Sequence, residues 1–236
     1  MNHSFIAGVT PEHPCPYLSN QQAQELIAML PEHSHDNTIP YQQLINLGFR
    51  RSGNDVYRPH CRNCQSCQSL RVDALQFLPT RSQKRILRKN SDLHYQWYDR
   101  ITQEQYILYK KYLASRHNDG DMKDHNYDDY RDFIHSDWQP TRFLHAYLDH
   151  QLVAVAITDW LSEGLSAVYS FFDPTQEKRS LGTWLILKQL SYAKQLRKNW
   201  LYLGYQIDNC QKMKYKQHFR PHQRFIAEQW QAENNE

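Results

Sequence analysis

The sequence predicts an α+β fold: a mixed sheet preceded by a helix/hairpin unit that carries a Cys-rich loop. Three observations predict it. Residues 142–172 hold three consecutive strand-like runs, and the middle one, Gln151 to Trp160, is apolar and rich in β-branched residues, as a buried strand is. A helical stretch from Ser180 to Lys198 and a further strand, Trp200 to Tyr205, follow them. Ahead of them, Tyr41 to Arg58 reads as a short helix and a hairpin that lead into Cys61-Arg62-Asn63-Cys64-Gln65-Ser66-Cys67, a C-x2-C-x2-C loop.

The chain of 236 residues is long enough for one large domain or two small ones sharing a core. We divide it into an N-terminal unit with the Cys cluster, 1–75, and a second domain, 76–236. A net charge of +3 is too mild to indicate nucleic acid by itself, so the distribution of charge matters more than the total. The 16 Tyr, 6 Trp and 9 Phe interleave with Arg and Lys. That mixture suits stacking on bases, and equally suits tyrosines packing at the core edge. No run of about 18 apolar residues is present, so no membrane span is expected. The stretch Met1 to Phe5 has no basic region followed by an apolar one, so a secretory signal is not expected and the predicted location is cytoplasmic. Clustered cysteines in such a compartment point to metal or reactive thiols before disulfides.

Taken in order, Asn20 to Leu30 reads as a helix capped by Ser19 and ended by Pro31. Glu32 to Thr38 is a polar turn. Tyr41 to Leu47 is a short helix with Gly48 as its C-cap. Phe49-Arg50-Arg51 and Val56-Tyr57-Arg58 are strands about a Ser52-Gly53-Asn54-Asp55 turn, and Ser69 to Asp73 is another strand. A helix follows Pro79-Thr80. Its Arg81, Arg85 and Lys89 lie four apart, as do Lys84 and Arg88, which makes one broad basic face. Acidic residues are missing until Asp92, so phosphate contact by Arg81, Lys84, Arg85 and Arg88 stands beside the plainer reading of a solvated face. Thr102 caps a helix to Ala114, Arg116 to Met122 is a polar turn, and Tyr127 to Ser136 is helical. After the three strands, Asp173-Pro174 breaks the third. Asn209 to Gln217 is a short helix.

Three antiparallel strands, a helix, a strand and a helix is the order of the second half of a GCN5-related acyltransferase domain, and the predicted fold resembles it. That fold carries an Arg/Gln-x-x-Gly-x-Gly/Ala turn whose N–H groups meet pyrophosphate at a helix N-terminus. Here the turn is Arg179-Ser180-Leu181-Gly182-Thr183-Trp184. Trp184 stands where a small residue is expected and would crowd that approach.

Several further blocks occur together. They are Cys15-Pro16-Tyr17-Leu18, Tyr41-Gln42-Gln43-Leu44, Gly48-Phe49-Arg50-Arg51-Ser52-Gly53, Tyr57-Arg58-Pro59-His60-Cys61 through Arg71, Arg116-His117 with Asp119-Gly120, Phe172-Asp173-Pro174, Ser180-Leu181-Gly182, Tyr202-Leu203-Gly204-Tyr205 and Lys212-Met213-Lys214-Tyr215-Lys216. In this order, over nearly the whole chain, they resemble the arginyl-tRNA–protein transferase family, and most closely its short bacterial aspartate/glutamate leucyltransferases. The resemblance implies ribosome-independent transfer of leucine from leucyl-tRNA to the α-amine of proteins beginning with Asp or Glu, which marks them for degradation by the N-degron pathway. It also implies a GCN5-like fold holding a tRNA 3′ end where acyl-CoA would sit.

The family's eukaryotic members open with Cys-Gly-Tyr-Cys, whereas here Leu18 replaces the second Cys. Cys15, Cys61, Cys64 and Cys67 remain as candidate ligands of an iron–sulfur cluster or Zn²⁺, against a reading of reduced cysteines that pack a loop. Cys210 reads as a packed thiol.

The implied reaction is aminolysis of an activated ester, so no cofactor is required for the chemistry. It needs a proton acceptor, oxyanion donors and a cation for the acceptor's acid. Asp173 and Tyr205 are the candidates for proton handling, and Arg50, Arg51 and Arg71 those for the acceptor. Arg179, Lys212, Lys214 and Lys216 join the basic helix as candidates for the tRNA end. His117 with Asp119 is a further base pair or simply a polar turn. Three alternatives stay open: arginyl transfer by the same mechanism, an acetyl-CoA-dependent N-acetyltransferase, and a metal-containing RNA-binding protein without catalysis.

Overall fold

The four-stranded and the eight-stranded sheets of this protein meet at one hairpin. The computed structural model describes residues 6–30, 38–116 and 124–232. Its strands are β1 (Ile6–Val9), β2 (His13–Pro14), β3 (Gln22–Ala23), β4 (Glu25–Met29), β5 (Arg50–Ser52), β6 (Asp55–Pro59), β7 (Gln68–Asp73), β8 (His94–Tyr98), β9 (Thr141–Leu148), β10 (Gln151–Trp160), β11 (Gly164–Phe172), β12 (Trp200–Gln206), β13 (His222–Ile226) and β14 (Gln229–Ala232). Its helices are α1 (Thr38–Asn46), α2 (Arg81–Lys89), α3 (Gln103–Arg116), α4 (Tyr127–Ile134) and α5 (Leu181–Gln195). A small sheet runs β1-β4-β6-β5, β2 pairs with β3, and an eight-stranded sheet runs β14-β13-β7-β12-β11-β10-β9-β8. The expected α+β class with a mixed sheet is borne out.

The expected order of β9, β10, β11, α5 and β12 forms. The apolar run of β10 is buried along nearly its whole length, and alternation sends its residues to two faces. Ala154 and Ala156 pack with Leu181, Trp184 and Leu185 of α5. Val155 and Ile157 pack with Leu108, Tyr109 and Leu113 of α3. The small residues on the α5 side leave room for Trp184, which is 1% exposed. Trp184 is therefore a core residue, and the crowding at the start of α5 that the sequence reading expected from it does not occur. Because α5 returns the chain, β12 runs parallel to β11. Every other pairing in the large sheet is antiparallel.

The predicted helix over Asn20 to Leu30 is absent. Glu25–Met29 is instead the strand between β1 and β6, because pairing on both sides outweighs the helix preference of an Ala/Gln/Leu-rich run. The short helix expected at Asn209 to Gln217 is reduced to a 3-10 turn, Lys214–His218. Strands β8, β13 and β14 were not anticipated, since their polar, aromatic sequences become strands by joining a sheet edge. The turns at Glu32 to Asn37 and around His117 and Asp119 lie outside the described residues.

The β5–β6 hairpin forms as expected. Gly53 is needed at its tip: φ is +57°, and a Cβ there would lie 2.3 Å from the Asp132 carbonyl oxygen. Beside it, Arg51 crosses to the large sheet. Its Nε and Nη2 donate to both oxygens of Asp159, at 2.7 and 2.5 Å. Thr141 Oγ1 and the carbonyls of Gly53 and Ile134 take the other bonds. Both side chains of the ion pair are 0% exposed. Strand β7, from the stretch assigned to the N-terminal unit, also enters the large sheet between β12 and β13.

Removing one partner of such a pair strands a buried charge. Arg51→Met or Asp159→Ala is expected to cost about 3–5 kcal/mol in urea denaturation. The double change to Met and Leu is expected to cost less than either single one. Equal or additive losses would show that the pair does not act as a unit.

Candidate functional site

The site begins where the sheet opens. Strands β11 and β12 keep register for three pairs only, Gly164–Trp200, Leu165–Leu201 and Ser166–Tyr202, and then separate. Carbonyls freed by such a separation need donors. Arg50 supplies them: its Nη2 donates to Ala167 O at 2.5 Å on β11 and its Nη1 to Tyr202 O at 3.4 Å on β12. Gly204 bends the second strand here with φ +77°, a conformation that favours glycine.

Next along β12, Tyr205 donates its hydroxyl to Tyr57 O at 3.1 Å and Gly48 O at 3.3 Å. Burial, with Tyr57 beside it, holds that phenol well above its usual pKa. The Tyr205 carbonyl accepts from Lys216 Nζ. Lys216 is buried, and burial together with the nearby Arg50 lowers its pKa to about 7. At the far end of β11, Asp173 caps the 3-10 turn through Thr175 and pairs with Lys111 at 2.7 Å. Burial opposes its charge, but the Lys111 and Thr175 hydrogen bonds outweigh it and hold the carboxyl below its usual range.

A cavity of about 1080 Å³ lies beside this region, walled by Tyr17, Glu25, Arg58, the Cys loop, Tyr205 and the β13–β14 turn. Cys15, Cys61, Cys64 and Cys67 all line it. The Cys61 thiol faces Gln24 O at 3.8 Å and the Cys64 thiol faces Ser66 Oγ at 3.4 Å. Burial, with the thiols of Cys61, Cys15, Cys64 and Cys210 around it, pushes Cys67 up to about 12. Among the described residues no three His, Cys, Asp or Glu are placed to hold a metal ion.

The three arginines expected to read the acceptor go to different places. Arg50 spans the strand gap and Arg51 faces Asp159 in the interior. Arg71 lies between two indoles, 3.9 Å from the Trp200 ring centre and 4.3 Å from that of Trp230, and bonds Gln223 Oε1. None of the three lines the cavity. Arg58, which the sequence reading passed over, does.

Arg81, Lys84, Arg85 and Arg88 are exposed on α2 with no described acidic partner, while the capping box of Thr80 and Gln83 fixes the helix start. Arg179 is taken up by Asp92, at 2.9 Å to each oxygen. Lys212 and Lys214 are exposed, whereas Lys216 points inward and is not a surface contact for phosphate. Lys214 and Lys216 share the 3-10 turn Lys214–His218, which sends them to different faces, and Lys212 precedes it.

The class of protein follows from two matches that divide the chain between them. Residues 13–85 match the N terminus, and residues 104–226 the C terminus, of the arginine-tRNA-protein transferase models. The chain belongs to the arginine-tRNA–protein transferase family. Relatives named aspartate/glutamate leucyltransferase include those of Aeromonas hydrophila and Teredinibacter turnerae. The first is 46% identical over 94% of this chain and 93% of its own length, the second 49% over 94% and 91%. That of Vibrio cholerae is 43% identical over 95% and 96%. Among solved structures, the C-terminal domain of a putative lysylphosphatidylglycerol synthetase from Agrobacterium fabrum gives a TM-score of 0.49 at 12% identity, over 70% of this chain and 51% of that one.

The lowered Lys216 has a consequence for stability. Between about 7 and its usual 10.5 the unfolded chain holds a proton that the folded chain has lost, so this group makes stability rise with pH over that window. The slope reaches at most about 1.4 kcal/mol per pH unit. Urea midpoints from pH 7 to 9.5 are expected to rise more for the wild type than for Lys216→Met. Parallel curves would mean that the buried amine keeps its proton.

Proposed function

We propose that this protein takes leucine from leucyl-tRNA and joins it to the α-amine of a protein beginning with Asp or Glu, marking it for degradation by the N-degron pathway. The observation that carries this reading is identity of 43–49% with relatives named for that activity, over nearly their full length. No described helix is long and apolar enough to cross a membrane.

The reaction is an ester aminolysis. The acceptor nitrogen bonds to the leucyl carbonyl carbon, the bond to the ribose oxygen breaks, and the nitrogen gives up a proton. The gap between β11 and β12 is our site for the leucyl ester, as the corresponding gap in a GCN5-like fold takes an acyl group. Arg50 fixes the width of the gap. Asp173 is our proton acceptor: it is anionic and stands at the end of β11, with Lys111 as its counter-ion. Tyr205 positions the opposite strand, since its hydroxyl is spent on backbone carbonyls. The exposed face of α2 supplies the phosphate contacts of the tRNA, with Lys212 and Lys214 as further contacts.

The test mixes purified protein with labelled leucyl-tRNA or arginyl-tRNA and peptides starting with Asp, Glu, Arg or Ala. Mass spectrometry is expected to find a leucine added to the Asp and Glu peptides alone. An arginine in its place would overturn the donor, and no transfer from either tRNA would sink the reading. Lys84→Glu with Arg85→Glu is expected to weaken leucyl-tRNA binding, and to flatten its log–log salt slope by about 0.7–0.9 per lost phosphate contact. An unchanged slope would remove α2 from the interface.

A further inference from the structure

We propose that Arg58 is the cation that reads the acidic side chain of the acceptor, and that Glu228 occupies this subsite until the acceptor displaces it. The inference rests on the transfer reading and adds the specificity residue.

Among the described residues the cavity has three basic wall residues, Arg58, His60 and Arg62. His60 is exposed. Arg62 is 76% exposed at its side chain and pairs loosely with Glu12 at 3.4 Å. Arg58 is 20% exposed, which makes it the one of the three whose charge is shielded from water and therefore worth most to an incoming carboxylate. It is also held in place. Its Nη1 donates to Leu47 O at 3.0 Å, and its guanidinium lies 5.1 Å over the Phe49 ring. Nε and Nη2 have no described partner, so part of the donor fork is open to a second carboxylate geometry.

A carboxylate is already there. Glu228 Oε2 accepts from Arg58 Nη1 at 2.9 Å, yet the Glu228 side chain is 67% exposed. Such a pair is weak on its own account, and a better-placed acid can replace it. Glu228 reaches Arg58 from the two-residue β13–β14 turn, where Ala227 has φ +50° and Glu228 φ +61°. Gly and Asn are the residues suited to that backbone. The turn therefore holds a carboxylate over Arg58 at some backbone cost. The acceptor's Asp or Glu side chain brings the same group on a free N-terminus. Its amide counterparts, Asn and Gln, lack the charge.

The test measures binding of peptides beginning with Asp or Asn by direct titration, and transfer of leucine to them, for wild type, Arg58→Lys, Arg58→Met and Glu228→Gln. Leucyl-tRNA affinity serves as the check on folding and on the donor site. Arg58→Met is expected to lose about 10- to 100-fold in affinity for the Asp peptide. Its preference for Asp over Asn should vanish while tRNA affinity holds. Arg58→Lys should keep part of the preference. Glu228→Gln should lower the KM for the Asp peptide a few-fold with kcat unchanged. If Arg58–Glu228 is only a tether between sheets, Glu228→Gln leaves KM unmoved and Arg58→Met weakens Asp and Asn peptides alike. Either result overturns the proposal. If Arg58→Met does not fold, the Glu228→Gln and Arg58→Lys results decide it. A wild type that binds Asp over Asn peptides but transfers no leucine would sink the activity and leave the subsite standing.

Discussion

Arg50 makes the opening in the sheet tenable. A pair of parallel strands that separates after three rungs leaves backbone carbonyls facing the gap without a strand partner. Each unpaired group would cost about as much as a lost hydrogen bond. One guanidinium meets Ala167 O and Tyr202 O together because its donors form a rigid planar fork; an ammonium has no such fork. The same strand, β5, turns its next residue the other way, as alternation requires. Arg51 then fastens the hairpin to β9, β10 and α4 through Asp159, Thr141 and Ile134. Two adjacent arginines thus do different work: one holds the sheet open and the other holds the hairpin that opens it.

Placing a second cation nearby has an electrostatic cost, and Lys216 bears it. Arg50 and Lys216 approach each other around the β12 backbone in a buried setting, where like charges repel strongly. The guanidinium does not release its proton at any ordinary pH, whereas an amine does so when buried. Lys216 is therefore the group that loses its charge near neutrality. What it keeps is a hydrogen bond to Tyr205 O, on the residue whose own hydroxyl ties β12 to the hairpin. The two buried basic side chains thus fix the path of β12 from either side.

Much of this was legible in the sequence where periodicity and turn chemistry decide the outcome. The apolar run of β10, the Gly53 hairpin, the helix after Pro79-Thr80 and the helix between β11 and β12 all formed as expected. The failures share one cause. Residues 20–30 carry good helix formers but are captured by β1 and β6, a tertiary pairing that no local signal encodes. The arginines of the Gly48 to Gly53 block were marked for the acceptor, but an arginine's partner is chosen by the fold. Hence Arg51 and Arg71 were assigned to a ligand and instead meet Asp159 and two tryptophans. Arg58 was quoted within a block and given no role, because only the cavity distinguishes it from its neighbours.

In the proposed site, the hairpin also gives the N-terminal strands a part. An aminoacyl transfer must hold a donor ester and an acceptor amine at one point, while the acceptor's side chain, a few bonds away, is recognised somewhere else. The two recognitions must not share a cation. A carboxylate drawn to the gap would compete with the backbone carbonyls for Arg50, whose donors the gap requires. Register settles the matter: Arg50 pairs with Tyr57 across the hairpin, so Arg58, the next residue, is carried to the opposite face of β6. Tyr57 and Arg58 both reach the cavity wall, but the charge of Arg58 is displaced from that of Arg50 by the width of a strand. One two-stranded ribbon thereby sets the spacing between the proposed place of the ester and the proposed place of the acid.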